Sequence, residues 1–226
     1  MSRFSTLAAA ALAWCAIAGQ AGAETVTVRD DPSNGGSVFN SGLGRNVSIT
    51  FNGTNRTVGA GAFGLQFGSG AGWTDFVTFC LDLNEWLLLP AEYHRVGADA
   101  YFGVAADRDA MGILYGNLMT AEHGLQDATS AAALQSIIWE IREDGAANFN
   151  LQSGAFRLLT NDVLLRAQSL WGLIASGGFQ PVAFDIFSAR GTQDLLVSEV
   201  PLPAGFVLFG SALAIAGAMR RPRAKA

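Results

Sequence analysis

The chain is 226 residues long, half of them apolar, with 27 glycines and a formal net charge of −5 at neutral pH. That length and apolar content suffice for one domain with a buried core, and the glycines point to tight turns between short strands. All 19 acidic residues fall between Glu24 and Glu199 against nine arginines and no lysine, a surplus of ten negative charges that suits nucleic acid poorly as a partner.

Arg3 precedes an apolar run from Leu7 to Ala18, and Ala21-Gly22-Ala23 follows. A positive start, a short apolar stretch and small residues at A-x-A spacing predict a secretory signal peptide over residues 1–23, cleaved after Ala23. The other reading is a retained membrane anchor, which the shortness of the run argues against. Cys15 lies inside the apolar run and leaves with it, so Cys80 is the one cysteine of the expected mature segment.

From Glu24 onward the pattern is of short β-prone runs, with candidate strands at Thr25–Arg29, Val47–Phe51, Thr57–Phe67 and Thr74–Leu83. Asn52-Gly53 predicts a turn, and Gly59, Gly61 and Gly64 predict bulges or close backbone approach. After Pro90 the period changes. Met111, Leu114, Tyr115 and Leu118 recur at helical spacing behind Asp107 and Asp109, which favour a helix start. A second helix is predicted from Thr129 to Glu143, with Leu134, Ile137, Ile138 and Ile141 on its apolar face, and a third from Asn161 to Ala175. Val182–Phe187 and Leu195–Val200 predict a closing hairpin around Gly191-Thr192. The fold class is α+β over residues 24–199: an N-terminal antiparallel sheet of sandwich or barrel type, a helical middle and a C-terminal β-hairpin, with one apolar helix beyond. The tryptophans Trp73, Trp86, Trp139 and Trp171 are expected in the core.

A lone cysteine in an exported protein is a buried hydrophobe, an intermolecular bridge or a reactive group. Alternation puts Phe79 and Leu81 on one face of their strand and Thr78, Cys80, Asp82 and Asn84 on the other, so the thiol is expected among polar neighbours. On the second helix Ala131, Gln135 and Trp139 fall four apart along one stripe at the edge of the apolar face, where Gln135 could reach a neighbouring strand.

The segment Phe79-Cys80-Leu81-Asp82, followed by Gln135-Ser136-Ile137-Ile138-Trp139, resembles the thioester domains of bacterial surface adhesins. The family's threonine before the glutamine is Leu134 here, and its alanine two places after is Ile137. The resemblance implies that the Cys80 sulfur displaces ammonia from the Gln135 carboxamide, leaving a thioester that an amine on a surface or matrix partner can open. It also implies that Trp139 packs at the site and that Asp82 orients it. A domain without lysine fits, since it has no ε-amine of its own to quench the electrophile, although a preference for arginine explains the same composition.

The chain closes on Val200-Pro201-Leu202-Pro203-Ala204, an apolar run from Gly205 to Met219, and Arg220-Arg221-Pro222-Arg223. As a helix, 205–219 would rise about 22 Å, short of a hydrocarbon core of about 30 Å, and the terminal arginines would stay cytoplasmic. This order resembles the PEP-CTERM sorting signals of Gram-negative bacteria in their VPLPA form. It implies an exosortase partner, transient anchoring in the inner membrane and delivery to the cell surface or extracellular matrix; a permanent single-span anchor is the alternative. The expected function is thus a sorted, adhesive surface protein with a Cys80–Gln135 thioester, single-turnover rather than enzymatic. The alternative is a non-covalent module for polysaccharide or protein, with no chemistry at Cys80. No cofactor or metal is expected: Asp107-x-Asp109 is too sparse for ligation, and His94 and His123 stand in no hydrolase motif.

Overall fold

A computed structural model describes residues 25–68 and 72–198. The signal-peptide site at Ala23, the sorting motif Val200 to Ala204, the apolar run 205–219 and the terminal arginines lie outside the described residues. No helix among the described residues is long and apolar enough to cross a membrane. The described chain is mixed α and β, built on one antiparallel sheet of eight strands with four helices.

Strands β1 (Thr25–Asp30) and β2 (Phe39–Phe51) pair in succession along one side of the long β3 (Thr54–Gly68). The β2–β3 turn is Asn52-Gly53, with φ of 48° and 79°, the left-handed pair that a two-residue hairpin of the right twist requires. The glycines of β3 matter most at Gly61. Its φ is 152°, and an added Cβ would strike the Leu43 carbonyl, where the β2 register slips between Phe39 and Gly44. That is the close approach expected from the sequence.

Strand β4 (Thr74–Thr78) lies along β3, and β5 (Ala91–Gly97) pairs with β1. The expected strand Thr74–Leu83 is therefore too long. Beyond Thr78 the chain leaves β3 and meets the other end of the sheet, which is completed after two short helices, two long ones and β6. The helices are α1 (Ala98–Tyr101), α2 (Ala105–Ile113, continued by a π-helical turn over Leu114–Leu118), α3 (Ala128–Glu143) and, after β6 (Phe156–Leu158), α4 (Asn161–Ala175). Strands β7 (Phe184–Ser188) and β8 (Leu195–Ser198) form the closing hairpin, β7 against β5.

The junction comes at Cys80. Leu196 N–H donates to Phe79 O at 3.2 Å, Leu81 N–H donates to Asp194 O at 2.9 Å, and Cys80 bridges Leu195. Hydrogen bonding thus runs β3–β1–β5–β7–β8, through residues 79–81, and back by β4 to β3. Phe67, Phe76, Tyr93 and Phe187 meet ring to ring with centroids 5.4 to 6.3 Å apart, tying β3, β4, β5 and β7 together.

Helix α3 differs from its expected amphipathic form. Every residue from Ser130 to Ile141 is buried, polar ones included. It packs on β2 and β3 and is covered by α2 and α4, so it has no solvent face. Its N-terminus is capped by Asp127, whose carboxylate accepts from Ser130 N–H at 2.7 Å. Asp107 does not cap α2; it accepts instead from Ala146 N–H at 2.7 Å, holding the turn after α3. Of the four tryptophans expected inside, Trp139 is buried, Trp171 half-buried, and Trp73 and Trp86 are exposed.

Candidate functional site

Cys80 sits where the sheet path closes, and α3 is laid directly behind it. Both sides of this stretch are buried, Thr78 and Cys80 as well as Phe79 and Leu81. The expected polar surroundings of the thiol are corrected accordingly: Cys80 is 1% exposed and belongs to the hydrophobic core. Alternation failed as a guide because the face opposite Phe79 is covered by α3 rather than by water.

Gln135, also 1% exposed, faces Cys80 across 55 positions of sequence. Its Oε1 accepts from Cys80 N–H at 3.1 Å, and its Nε2 donates to Cys80 O at 2.7 Å. The carboxamide behaves as one more strand residue, satisfying both main-chain groups at the point where the ladder changes partners. One helical turn on, Trp139 Nε1 donates to Cys80 Sγ at 3.3 Å. The thiol in turn donates to Asp82 O at 3.4 Å. The other three residues read as a site from sequence each bond Cys80, but Asp82 reaches the sulfur through its backbone. Its carboxylate accepts from Asp194 N–H at 2.7 Å and so fixes the start of β8.

The electrostatics follow from burial. Desolvation pushes the Cys80 thiol up to about 12, against the weaker lowering effect of the Trp139 N–H. A free thiol here stays protonated at neutral pH and is a poor nucleophile toward outside reagents. Burial also raises the Asp82 carboxyl, with the Asp194 N–H opposing it. On the same helix Glu140 is fully buried; its Oε1 accepts from Asn150 N–H at 2.7 Å, and desolvation pushes its carboxyl up to about 7.

A cleft of about 490 Å³ opens beside the pair, lined in part by Trp139 and Asp82. Arg56 and Phe63 of β3 and the exposed Trp86 also line it. Arg56 and Trp86 were not singled out from sequence as site residues. The one available signal was the run Asp82-Leu83-Asn84-Glu85-Trp86, polar or aromatic but for Leu83, which follows the cysteine without strand alternation. His94 bonds Thr25 Oγ1 at 3.1 Å in an exposed contact at the start of β1, and His123 lies in the turn before α3, so neither is a partner of Cys80. Among the described residues no group of three or more His, Cys, Asp or Glu side chains is placed to hold a metal ion. The chain matches no protein-family model, no curated protein and no solved structure.

Proposed function

We propose that this is an exported surface or matrix protein, sorted by an exosortase through its VPLPA-type tail, whose domain carries a Cys80–Gln135 thioester for capture of a partner amine. One observation carries the reading: the Gln135 carboxamide is seated on the residue whose thiol would attack it. Such seating makes the reaction effectively unimolecular, a gain that reaches several kcal/mol of barrier in well-oriented cases, on the order of 7 or more. The Cys80 N–H on Oε1 polarises the carbonyl and is placed to stabilise charge that develops on that oxygen. The sulfur adds to the carboxamide carbon, the C–N bond breaks, and the thiol proton leaves with the nitrogen as ammonia. No free thiolate accumulates, so the raised thiol pKa is no obstacle to a slow, single event. Burial and the Trp139 indole then keep water from the product. The ring path through residues 79–81 supports a barrel-like reading of the sheet, and the apolar run 205–219 is read as the helix that holds the protein at the membrane before processing.

A second reading has its own support. Gln135 already satisfies Cys80 as a purely structural clamp, and a buried thiol at about 12 is chemically quiet. The protein would then be a non-covalent binding module, with the cleft as its site. Blockage of Cys80 in folded protein does not separate the two, because burial alone blocks it. Thiol titration in denaturant at neutral pH does. The thioester reading expects almost no free thiol until hydroxylamine is added, then one per chain. One free thiol before hydroxylamine would refute it.

A further inference from the structure

The cleft beside Trp139 carries a cation, Arg56, whose buried N–H groups are used neither by the hydrogen bonding of the fold nor by the thioester. Arg56 comes from β3, and its guanidinium lies over the Phe51 ring, 4.6 Å from the centroid. Its Nε and Nη2 are buried and meet no hydrogen-bond acceptor among the described residues. Buried guanidinium N–H groups without acceptors are costly, and two of them side by side match the two oxygens of a carboxylate. Glu143 is close enough to feel the charge, but it does not supply those hydrogen bonds. A different segment, the stretch after Cys80, lines the cleft with the opposite sign through Asp82 and Glu85. Asp82 is two residues from the thiol, and Trp139 joins the two places: its indole lines the cleft while its N–H holds Sγ.

We propose that this cleft selects the partner amine, taking donors that also bear a carboxylate, with the carboxylate on Arg56 and the ammonium toward Asp82. The proposal rests on the thioester reading and adds the class of substrate to it. The Trp139 side chain stands between cleft and sulfur, so it must swing aside for the amine to reach the acyl carbon. The ammonium first gives a proton to the Asp82 carboxylate, whose burial strengthens it as a base. The free amine then attacks the Gln135 acyl carbon. The C–N bond forms as the C–S bond breaks, and the proton lost by the attacking nitrogen goes to the departing Cys80 sulfur. The product is a substituted Gln135 amide and a free Cys80 thiol, with Asp82 returning its proton to water.

The probes are 5-aminopentanoate and pentylamine, which share an alkyl chain and an amine and differ in the carboxylate. With purified protein, intact mass should show the 5-aminopentanoate adduct accumulating about tenfold faster than the pentylamine adduct, the scale of one charge-assisted contact. Arg56→Gln should remove that preference, so that the two adducts form at equal rates, and Arg56→Lys should keep part of it. Equal rates in the unmodified protein, or a preference that survives Arg56→Gln, would overturn the proposal and leave the thioester standing. Calorimetry on Cys80→Ala protein, or on Cys80→Ser protein should that variant misfold, reads the cleft without the chemistry. Tighter binding of 5-aminopentanoate than of pentylamine, lost in Arg56→Gln, supports the cleft even if no adduct ever forms, in which case the thioester reading alone fails. No such selectivity in that titration counts against the cleft directly.

Discussion

Glu140 shows how much burial α3 imposes on single residues. Its carboxyl has no exposed surface, one oxygen takes the Asn150 N–H, and the other meets no partner among the described residues. Desolvation lifts its pKa from 4.5 to about 7, so between those values the folded state holds a proton that the unfolded state has lost. For an acid raised on folding, the contribution is full below the unfolded value and shrinks as pH rises through the window to the folded value. The domain should therefore lose stability from about pH 4.5 to about pH 7, by at most about 3 kcal/mol from this group. Glu140→Gln should flatten that slope. Urea midpoints at pH 5 and pH 8 for both proteins check it; an unchanged slope would mean that Glu140 is not the group responsible.

At the scale of elements, the glycine positions separate two kinds of constraint. Gly53 has open space around its α-carbon but a φ of 79°, so Gly53→Ala should cost about 1 kcal/mol through backbone strain alone. Gly61→Ala meets the Leu43 carbonyl as well and should cost clearly more, about 2 to 4 kcal/mol, because the β2–β3 pairing must part to admit the methyl group. Denaturant midpoints of the two variants give the comparison, and equal costs would contradict the packing described here. These features were readable in the sequence, as were α3 and α4, since the turn residues and apolar periods are local. Strand β5 was not, because only Tyr93 in it is fully buried while Glu92, His94 and Arg95 hide the alternation. Strand β6 is three residues long and exists through its pairing with β2. The end of β4 was misread for a related reason: what stops it is β8, more than a hundred positions away, and no local pattern announces that contact. The juxtaposition of Cys80 and Gln135 was legible only through motif resemblance. The burial of both, and the part of Arg56 in the cleft, became visible once the helix had a place to pack.

Over the whole molecule, one segment serves both architecture and proposed chemistry. Residues 79–81 link the two ends of the sheet, and α3 lies behind them with its carboxamide on the Cys80 backbone and its indole on the sulfur. A thioester at that point would be formed by folding itself, since the two groups meet only when sheet and helix are both in place. The strongly acidic, lysine-free span from Glu24 to Glu199 would then carry an electrophile that no side-chain amine of its own could consume. The most direct measurement is the intact mass of the purified domain beside its Gln135→Glu variant, which keeps the shape of the side chain and offers no ammonia to lose. The unmodified domain should be lighter than its sequence by about 17 Da, methylamine should convert that deficit into an adduct, and the variant should show neither. A full sequence mass in freshly folded protein, unresponsive to methylamine, would contradict the thioester and leave Gln135 as the clamp that holds the sheet closed.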